Sequence, residues 1–155
     1  MKIKSTNRGS KLYPPLLAEI ASPPQKLYYL GKLPGANPCV AIVGSRKATA
    51  YGREVTYRLA YDLASVGIII VSGLALGIDS VAHKAALEAG GKSIGVLACG
   101  LNQIYPATNR ELAKQLLASG GALLSEYPEG MPPLKQNFPA RNRIITGLSL
   151  ASVIT

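Results

Sequence analysis

The stretches VAIVGSRKATAYG at residues 40–52 and IIIVSGLALGIDS at residues 68–80 decide the fold class. Each begins with a short apolar, β-branched run and continues into a loop that contains glycine. Between the two runs, apolar residues recur at helical spacing, at Val55, Leu59, Leu63 and Val66. The sequence therefore predicts a strand, a loop and a helix, followed by the same order again.

The alternation continues towards the C-terminus. Strands are predicted at Ser93–Leu97 and Leu123–Glu126, and helices at Asp79–Ala89 and Asn109–Ala118. Short apolar strands without polar alternation are typical of a parallel sheet that is covered on both faces. We therefore expect an α/β fold with a doubly wound, mostly parallel sheet and helices on both faces.

The predicted helices carry end signals. Glycines stand where three helices should end, at Gly67, Gly90-Gly91 and Gly120-Gly121, and glycine favours the left-handed conformation of a helix C-terminus. Thr108 and Glu111 have the spacing of a capping box at the start of helix 109–118.

The first part of the chain differs in pattern from the rest. Residues 1–34 are interpreted as a leader, with a short helix that ends at Pro23-Pro24 and an aromatic strand at Leu27–Leu30. Residues 35–155 then form the main domain.

The composition limits the class of protein. With 155 residues, 48% hydrophobic and 16% charged, the chain suits one soluble globular domain. Its longest apolar stretch, residues 66–78, falls short of the roughly 20 residues of a membrane span. No apolar signal segment follows the basic start, so the cytoplasm is the expected location. Cys39 and Cys99 are expected to be buried small hydrophobes rather than disulfide partners.

The net charge of +9 is unevenly distributed. Residues 1–48 hold eight Lys or Arg against one acid, residues 49–134 hold six against seven, and residues 135–155 hold three against none. This balance favours nucleic acid as a partner, with a membrane surface second. The alternative is a solvated, lysine-rich surface without a partner.

Candidate binding residues follow the predicted strands, because ligands of doubly wound sheets bind at the carboxyl ends of the strands. Gly44 permits close approach of a ligand, Ser45 can donate to phosphate, and Arg46 next to Lys47 offers a bidentate fork. The glycine-rich turn that starts at Ser72-Gly73 suits an anion. Its spacing matches neither the dinucleotide fingerprint nor the Walker pattern. The alternative is a tight turn with Asp79 as the N-cap of the next helix.

The segment PEGMPPLKQNFPARNRIITG at residues 128–147 is predicted to be a long loop with cations around one aromatic residue. The residues concerned are Lys135, Phe138, Arg141, Asn142 and Arg143. This arrangement resembles a single-strand site, where cations pair with phosphates and a base stacks on the ring. Alternatively, Phe138 anchors the loop to the core and Asn142 caps a helix that begins near Arg143. The loop and Arg46-Lys47 should meet at one edge of the sheet, which favours binding.

Two carboxylates and one imidazole are candidates for metal binding or acid-base catalysis. Asp79 and His83 have the i, i+4 spacing of metal ligands, but no third ligand is evident, so a structural His83 is the favoured interpretation. Glu126 could act as a general base or pair with Arg143. No nucleophile-elbow sequence supports a serine triad, and no redox or metal cofactor is indicated.

Taken together, several motifs resemble the DNA processing protein A (DprA/Smf) family. They are Tyr13-Pro14, Pro24-x2-Leu27-Tyr28, VAIVGSRKATAYG (40–52), VSGLALGIDSVAHKAAL (71–87), GVLACGLNQIYPATN (95–109), LLSEYPEG (123–130) and NFPARNRIITGLS (137–149). The resemblance implies a Rossmann-like domain that binds single-stranded DNA without enzymatic activity. It also implies homodimerisation and loading of the RecA recombinase during natural transformation.

By position, the resemblance makes Arg46 and Lys135 phosphate contacts and Phe138 a base-stacking ring. Gly44, Ser45, Ser72 and Gly73 would line the pocket, with Arg141, Asn142 and Arg143 in its wall. The family's domain extends beyond residue 155, so the chain resembles a truncated form whose dimer and RecA surfaces are largely missing. The alternative is a nucleotide-processing, phosphoribohydrolase-like enzyme on a related fold, although the P-G-G-x-G-T-x2-E loop of such enzymes is missing.

Overall fold

The computed structural model describes residues 1–155 and contains one seven-stranded sheet. Its strands are β1 (Lys4–Asn7), β2 (Lys26–Gly31), β3 (Cys39–Val43), β4 (Ile69–Ser72), β5 (Ser93–Val96), β6 (Ala122–Ser125) and β7 (Ala151–Ile154). Its α-helices are α1 (Pro15–Ala18), α2 (Ala50–Ser65), α3 (Ile78–Glu88), α4 (Arg110–Ala118) and α5 (Asn137–Gly147), and a 3-10 turn at Ala107–Asn109 precedes α4.

The strand order is β1-β2-β6-β5-β4-β3-β7. From β3 to β6 each strand pairs parallel with the next in sequence, and β7 then returns to pair parallel with the other side of β3. The order therefore reverses between β3 and β7. The structure confirms the expected α/β fold with a mostly parallel, doubly wound sheet.

Helices cover both faces of the sheet. One face packs against α2 and α3 through residues such as Ile42, Ile70 and Ala82, with α4 alongside over Leu123. The opposite face packs against α1 and α5 through Leu17 and Ile144. Reversal of the strand order places the last crossover helix on the face opposite the first three, as right-handed connections require.

Residues 1–34 add two antiparallel strands to the same sheet. The aromatic strand β2 pairs with β6, with Tyr28 opposite Ser125, and β1 pairs with β2 on the outside. The Tyr13 hydroxyl donates to the Pro24 carbonyl oxygen at 2.6 Å and ties α1 to the turn that precedes β2. The segment expected as a leader thus completes one edge of the sheet.

The predicted helix C-termini at Gly67, Gly90 and Gly120 are confirmed, since all three glycines have positive φ. The capping box of Thr108 and Glu111 was wrong, because no side chain caps α4. The preceding 3-10 turn instead buries Asn109, whose side-chain amide donates to the Leu74 carbonyl oxygen at 2.8 Å.

The prediction of a long loop at residues 128–147 was wrong for its second half. The helix α5 begins at Asn137, so Phe138, Arg141, Asn142 and Arg143 all lie on a helix, and Asn142 caps nothing. Pro139 occupies the first turn of α5, where a missing backbone N–H breaks no helical hydrogen bond.

Both cysteines are free and buried, as expected. Burial raises the pKa of the Cys39 thiol to about 11, which keeps it protonated at neutral pH. The strand β7 lies at the sheet edge, where Ile154 is 80% exposed. None of the helices combines the length and the apolar character needed to cross a membrane.

Candidate functional site

A crevice of about 450 Å³ lies at the carboxyl ends of β3 and β7, where the strand order reverses. Doubly wound sheets bind their ligands at this position, because the loops on either side turn apart there. The crevice is lined by Val43, Gly44, Ser45, Arg46, Ala75, Asp79, Phe138, Pro139, Arg141, Asn142, Ile154 and Thr155.

The loop after β3 is held tightly at its start and is open at its tip. A Cβ atom on Gly44 would lie 2.3 Å from the Thr155 carbonyl oxygen, so only glycine fits. The Ser45 hydroxyl oxygen accepts from the Lys47 backbone N–H at 3.0 Å, which leaves its own proton free to donate. Arg46 and Lys47 are exposed, and neither forms an ion pair.

Phe138 joins the two basic parts of the crevice. The guanidinium carbon of Arg46 lies 5.3 Å from the ring centroid, and that of Arg141 lies 5.5 Å from it. Guanidinium groups at this distance are attracted to the negative face of the ring. An aromatic surface therefore lies beside two positive charges at the mouth of the crevice.

Arg141 is 6% exposed and is fixed by the sheet. Its Nη1 donates to the carbonyl oxygens of Gly73 at 2.9 Å and Val96 at 2.8 Å, and its Nε donates to the Asn142 side-chain oxygen at 3.2 Å. Burial lowers the pKa of Arg141, and the carboxylate of Asp79 opposes that effect. A guanidinium stays charged even so, so the crevice holds a permanent positive charge.

The buried side chain of Asp79 holds the loop after β4 in place through hydrogen bonds to its backbone. Its Oδ2 accepts the backbone N–H groups of Gly73 at 3.0 Å and Ala75 at 3.4 Å. Burial raises the pKa of Asp79, and the charge of Arg141 acts in the opposite direction. The alternative that made Asp79 the N-cap of the helix was wrong, since Gly77 occupies that position and Asp79 lies inside α3. Its carboxylate takes up backbone N–H groups that an anion would otherwise bind.

His83 is fully buried, and both of its ring nitrogens are engaged. Nε2 accepts from the Leu74 backbone N–H at 3.3 Å, and Nδ1 lies 2.7 Å from the Ser93 hydroxyl oxygen, which in turn donates to the Ile70 carbonyl oxygen. Burial lowers the pKa of His83 to about 3, with a further contribution from Arg141. The imidazole is therefore neutral and forms part of the hydrogen-bonded interior, as the favoured interpretation expected.

The crevice does not include every residue expected there. The Ser72 hydroxyl is buried and donates to the Ile42 carbonyl oxygen at 2.6 Å, so it faces the sheet. Arg143 forms a bidentate ion pair with Glu126, at 3.0 and 2.6 Å, and also donates to the Ser22 carbonyl oxygen. Of the two alternatives for Glu126, the structure shows pairing with Arg143.

Lys135 lies two residues before α5, exposed and without an ion pair. It is close in sequence to Phe138 but does not line the crevice. Gly73 has no room for a side chain, because a Cβ atom there would lie 2.8 Å from both the Arg141 guanidinium and the Asp79 carboxylate.

Sequence reasoning missed an apolar extension of the site. Beside the crevice lies a smaller cavity of about 50 Å³, which shares Arg46 and Phe138 with it and adds Leu76, Tyr105 and Pro106. The Tyr105 ring is 49% exposed and packs edge-on against Phe138, with the ring centroids 5.9 Å apart. Its position on the loop after β5, at the binding edge of the sheet, was the available signal.

No group of three or more His, Cys, Asp or Glu side chains converges on a possible metal site. The arrangement instead offers cations, a free hydroxyl proton and two aromatic rings along one open crevice. These groups can hold an anion next to a flat apolar group.

Comparison with known proteins extends these observations. The chain is 50% identical to the protein Smf of Synechocystis over 92% of its length, and 43% identical to the DNA processing protein DprA of Bacillus subtilis over 94%. It covers 37% and 50% of those two proteins, so it spans half or less of their lengths.

Two solved structures resemble the fold over 99% of this chain. The DNA processing protein A of Streptococcus pneumoniae matches with a TM-score of 0.91 at 42% identity, and 54% of that chain is covered. DNA processing protein A of Helicobacter pylori, whose structure was described for its single-stranded DNA binding mode, matches with a TM-score of 0.86 at 35% identity, and 68% of it is covered. The model of the DNA recombination-mediator protein A family matches residues 4–155. Sequence and fold agree, and the chain belongs to the DNA recombination-mediator protein A family.

Proposed function

We propose that this chain binds single-stranded DNA in the crevice between β3 and β7, as part of DNA processing and recombination. The observation that carries the proposal is the Phe138 ring, which has the guanidinium groups of Arg46 and Arg141 at 5.3 and 5.5 Å. Single-strand binding proteins combine cations that follow the backbone with aromatic rings on which bases stack. The single-stranded DNA binding mode described for the relative from Helicobacter pylori supports the proposal.

The exposed and the buried cations have different roles. Arg46 and Lys135 are exposed and unpaired, so they are free to move onto phosphate oxygens. Ser45 donates a hydroxyl proton to the same group. Arg141 is held by two strand carbonyl groups and contributes a fixed positive potential. Phe138 provides the stacking surface, and binding without base-edge contacts makes the recognition independent of sequence.

We propose binding rather than catalysis, because the groups that acid-base chemistry would need are engaged. Asp79 accepts two backbone N–H groups, Glu126 is paired with Arg143, and both nitrogens of His83 are bonded. The phosphoribohydrolase-like alternative is not favoured, since the relatives are DNA-processing proteins.

Loading of RecA onto DNA and formation of a homodimer are further proposals, made for the longer proteins that this chain matches in part. Affinity capture of purified RecA by this chain on single-stranded DNA, and light scattering of the chain with and without DNA, test them. If more RecA is retained on single-stranded DNA with this chain than on single-stranded DNA alone, loading by these residues is supported. Equal retention contradicts it.

The binding experiment uses fluorescence anisotropy with labelled oligo-dT and a matched duplex over a salt series. Wild type is compared with the double variant Arg46→Ala/Lys135→Ala and with the control Lys84→Ala/Lys114→Ala, which loses the same charge from exposed sites on α3 and α4. We expect preference for the single strand and a salt slope that falls by about 0.7 for each lost phosphate contact, only in the first variant. Equal binding of duplex, or equal loss in both variants, would falsify the proposal.

A further inference from the structure

The crevice accounts for only part of the basic charge. Of the eight Lys and Arg residues in positions 1–48, two follow β3 and the other six lie in positions 1–32 with Glu19 as the only acid among them. All six are exposed, and none forms an ion pair. Positive charge of this density without acidic partners creates a positive surface potential that attracts anions.

Part of this charge converges on a second cleft. An open depression of about 470 Å³ is lined by Lys4, Lys11, Leu12, Tyr29, Gly31, Lys32, Leu33 and Gly35, and by no acidic residue. Lys32 also borders a smaller pocket that Lys92 lines, again without an acidic side chain. We call these four residues the lysine surface: Lys4, Lys11, Lys32 and Lys92.

The lysine surface lies at the end of the sheet opposite to the crevice. Gly31 pairs with Ala122, the first residue of β6, so Lys32 stands near the amino ends of the parallel strands. The crevice lies at their carboxyl ends. Four strand spacings separate β2 from β3, or about 20 Å across the sheet. The two positive regions are therefore separate sites.

The chemistry of the lysine surface fits phosphates but not bases. Lysine is a compact point charge that contacts phosphate without directional pairing. The only aromatic residue in the lining, Tyr29, is 8% exposed and offers no ring face for stacking. A ligand held there is recognised by its charged backbone alone.

We propose that the lysine surface binds the phosphate backbone of the same single strand, on the part of the strand that extends beyond the crevice. The proposal rests on the proposed function of the crevice, since it assigns the flanking nucleotides of that strand. It accounts for the N-terminal charge that the crevice leaves unused, and it makes the affinity depend on the length of the strand.

The experiment measures binding of a dT tetramer and of a dT strand of about 40 nucleotides over a salt series. The variant is Lys4→Gln/Lys11→Gln/Lys32→Gln. The control is Arg58→Gln/Lys84→Gln/Lys114→Gln, which removes the same charge from exposed positions on α2, α3 and α4. Circular dichroism and urea unfolding verify that both variants fold.

We expect the lysine variant to bind the tetramer like wild type and the long strand about tenfold more weakly, with a salt slope lower by about 2 for three lost contacts. Long-strand binding equal to that of the control would overturn the proposal. Binding of polyglutamate is measured as well. If the lysine variant lost polyglutamate binding but bound DNA like wild type, the surface would be assigned to an acidic polypeptide and the proposal would also be overturned. If wild type bound neither strand, the proposed function of the crevice would fail instead.

Discussion

The guanidinium carbon of Arg46 lies 5.3 Å from the centre of the Phe138 ring, although Arg46 follows β3 and Phe138 lies on α5. The crossover from β6 back to β7 places these two elements on either side of one crevice. A positive group and a flat apolar group thus stand side by side. A nucleotide presents the complementary pair, a phosphate and a base.

Replacement of Phe138 by alanine is expected to weaken binding of oligo-dT by about 1–3 kcal/mol, the contribution of one stacked base. The measurement is anisotropy with oligo-dT and with an abasic strand of equal length. On the abasic strand the variant should bind like wild type, because no base is present to stack. An equal loss on both strands would contradict stacking, and loss of cooperative unfolding would identify Phe138 as a core anchor.

Arg143 is expected to matter for stability and Arg46 for binding. Arg143→Ala removes a partly buried bidentate pair with Glu126 and should lower the free energy of unfolding by about 1–3 kcal/mol. Arg46→Ala removes an exposed cation and should leave that free energy nearly unchanged. Urea unfolding and the salt slope of oligo-dT binding separate the two effects. A lower salt slope for a folded Arg143→Ala protein would place Arg143 at the DNA after all.

Tyr105→Ala is expected to weaken oligo-dT binding about fivefold, or about 1 kcal/mol, because the edge-on contact that supports the Phe138 ring is lost. The salt slope should stay at the wild-type value, since no charge is removed. Tyr105→Phe keeps the ring and should bind like wild type. If Tyr105→Phe binds as weakly as Tyr105→Ala, the hydroxyl group and not the ring contact is responsible.

Acidification is expected to destabilise the protein through His83. Its pKa is lowered to about 3 in the folded state, whereas an unfolded histidine titrates near pH 6.5. Below pH 6.5 the unfolded state takes up a proton that the folded state does not, so the free energy of unfolding falls as the pH drops towards 3. From pH 7 to pH 5 the loss due to His83 is about 2 kcal/mol.

Urea unfolding at pH 7 and pH 5 checks this, with His83→Asn as the control because an asparagine amide can still donate to Ser93. Buried Asp79, whose pKa is raised, acts with the opposite sign, since its protonation on acidification stabilises the folded state. Its effect is common to both proteins and cancels in the difference. Parallel pH dependence of the two proteins would refute a neutral, structural His83.

The central strands could be predicted because each is a short apolar run next to a glycine-rich turn. The meeting of Arg46 with Phe138 followed from the rule that carboxyl ends of parallel strands share one edge. By contrast, β1 has the polar sequence KSTN, and it is a strand because the outer edge of β2 offers hydrogen bonds to it. Such pairing depends on tertiary structure and leaves no apolar pattern.

The site residues that sequence reasoning misplaced depend on side-chain direction. Ser72 ends β4 at the binding edge, but its hydroxyl turns to the Ile42 carbonyl oxygen of the neighbouring strand. Arg143 is two residues from Arg141 on α5, so the helix directs them to different sides, one towards Glu126 and the other towards Gly73. A loop would not have imposed that separation, and α5 had been predicted as a loop over residues 137–147.

Because the central strands are parallel, the crevice at their carboxyl ends lies far from the turns that precede their amino ends. The turn at Gly90 lies at the amino end of β5, and nothing lies within 4 Å of the Cβ position of Gly90. Surface turns of this kind tolerate inserted sequence. A fluorescent peptide or an affinity tag placed there would be remote from the crevice but close to Lys92 of the lysine surface, so immobilisation through Gly90 would leave the crevice open to solution and obstruct the lysine surface.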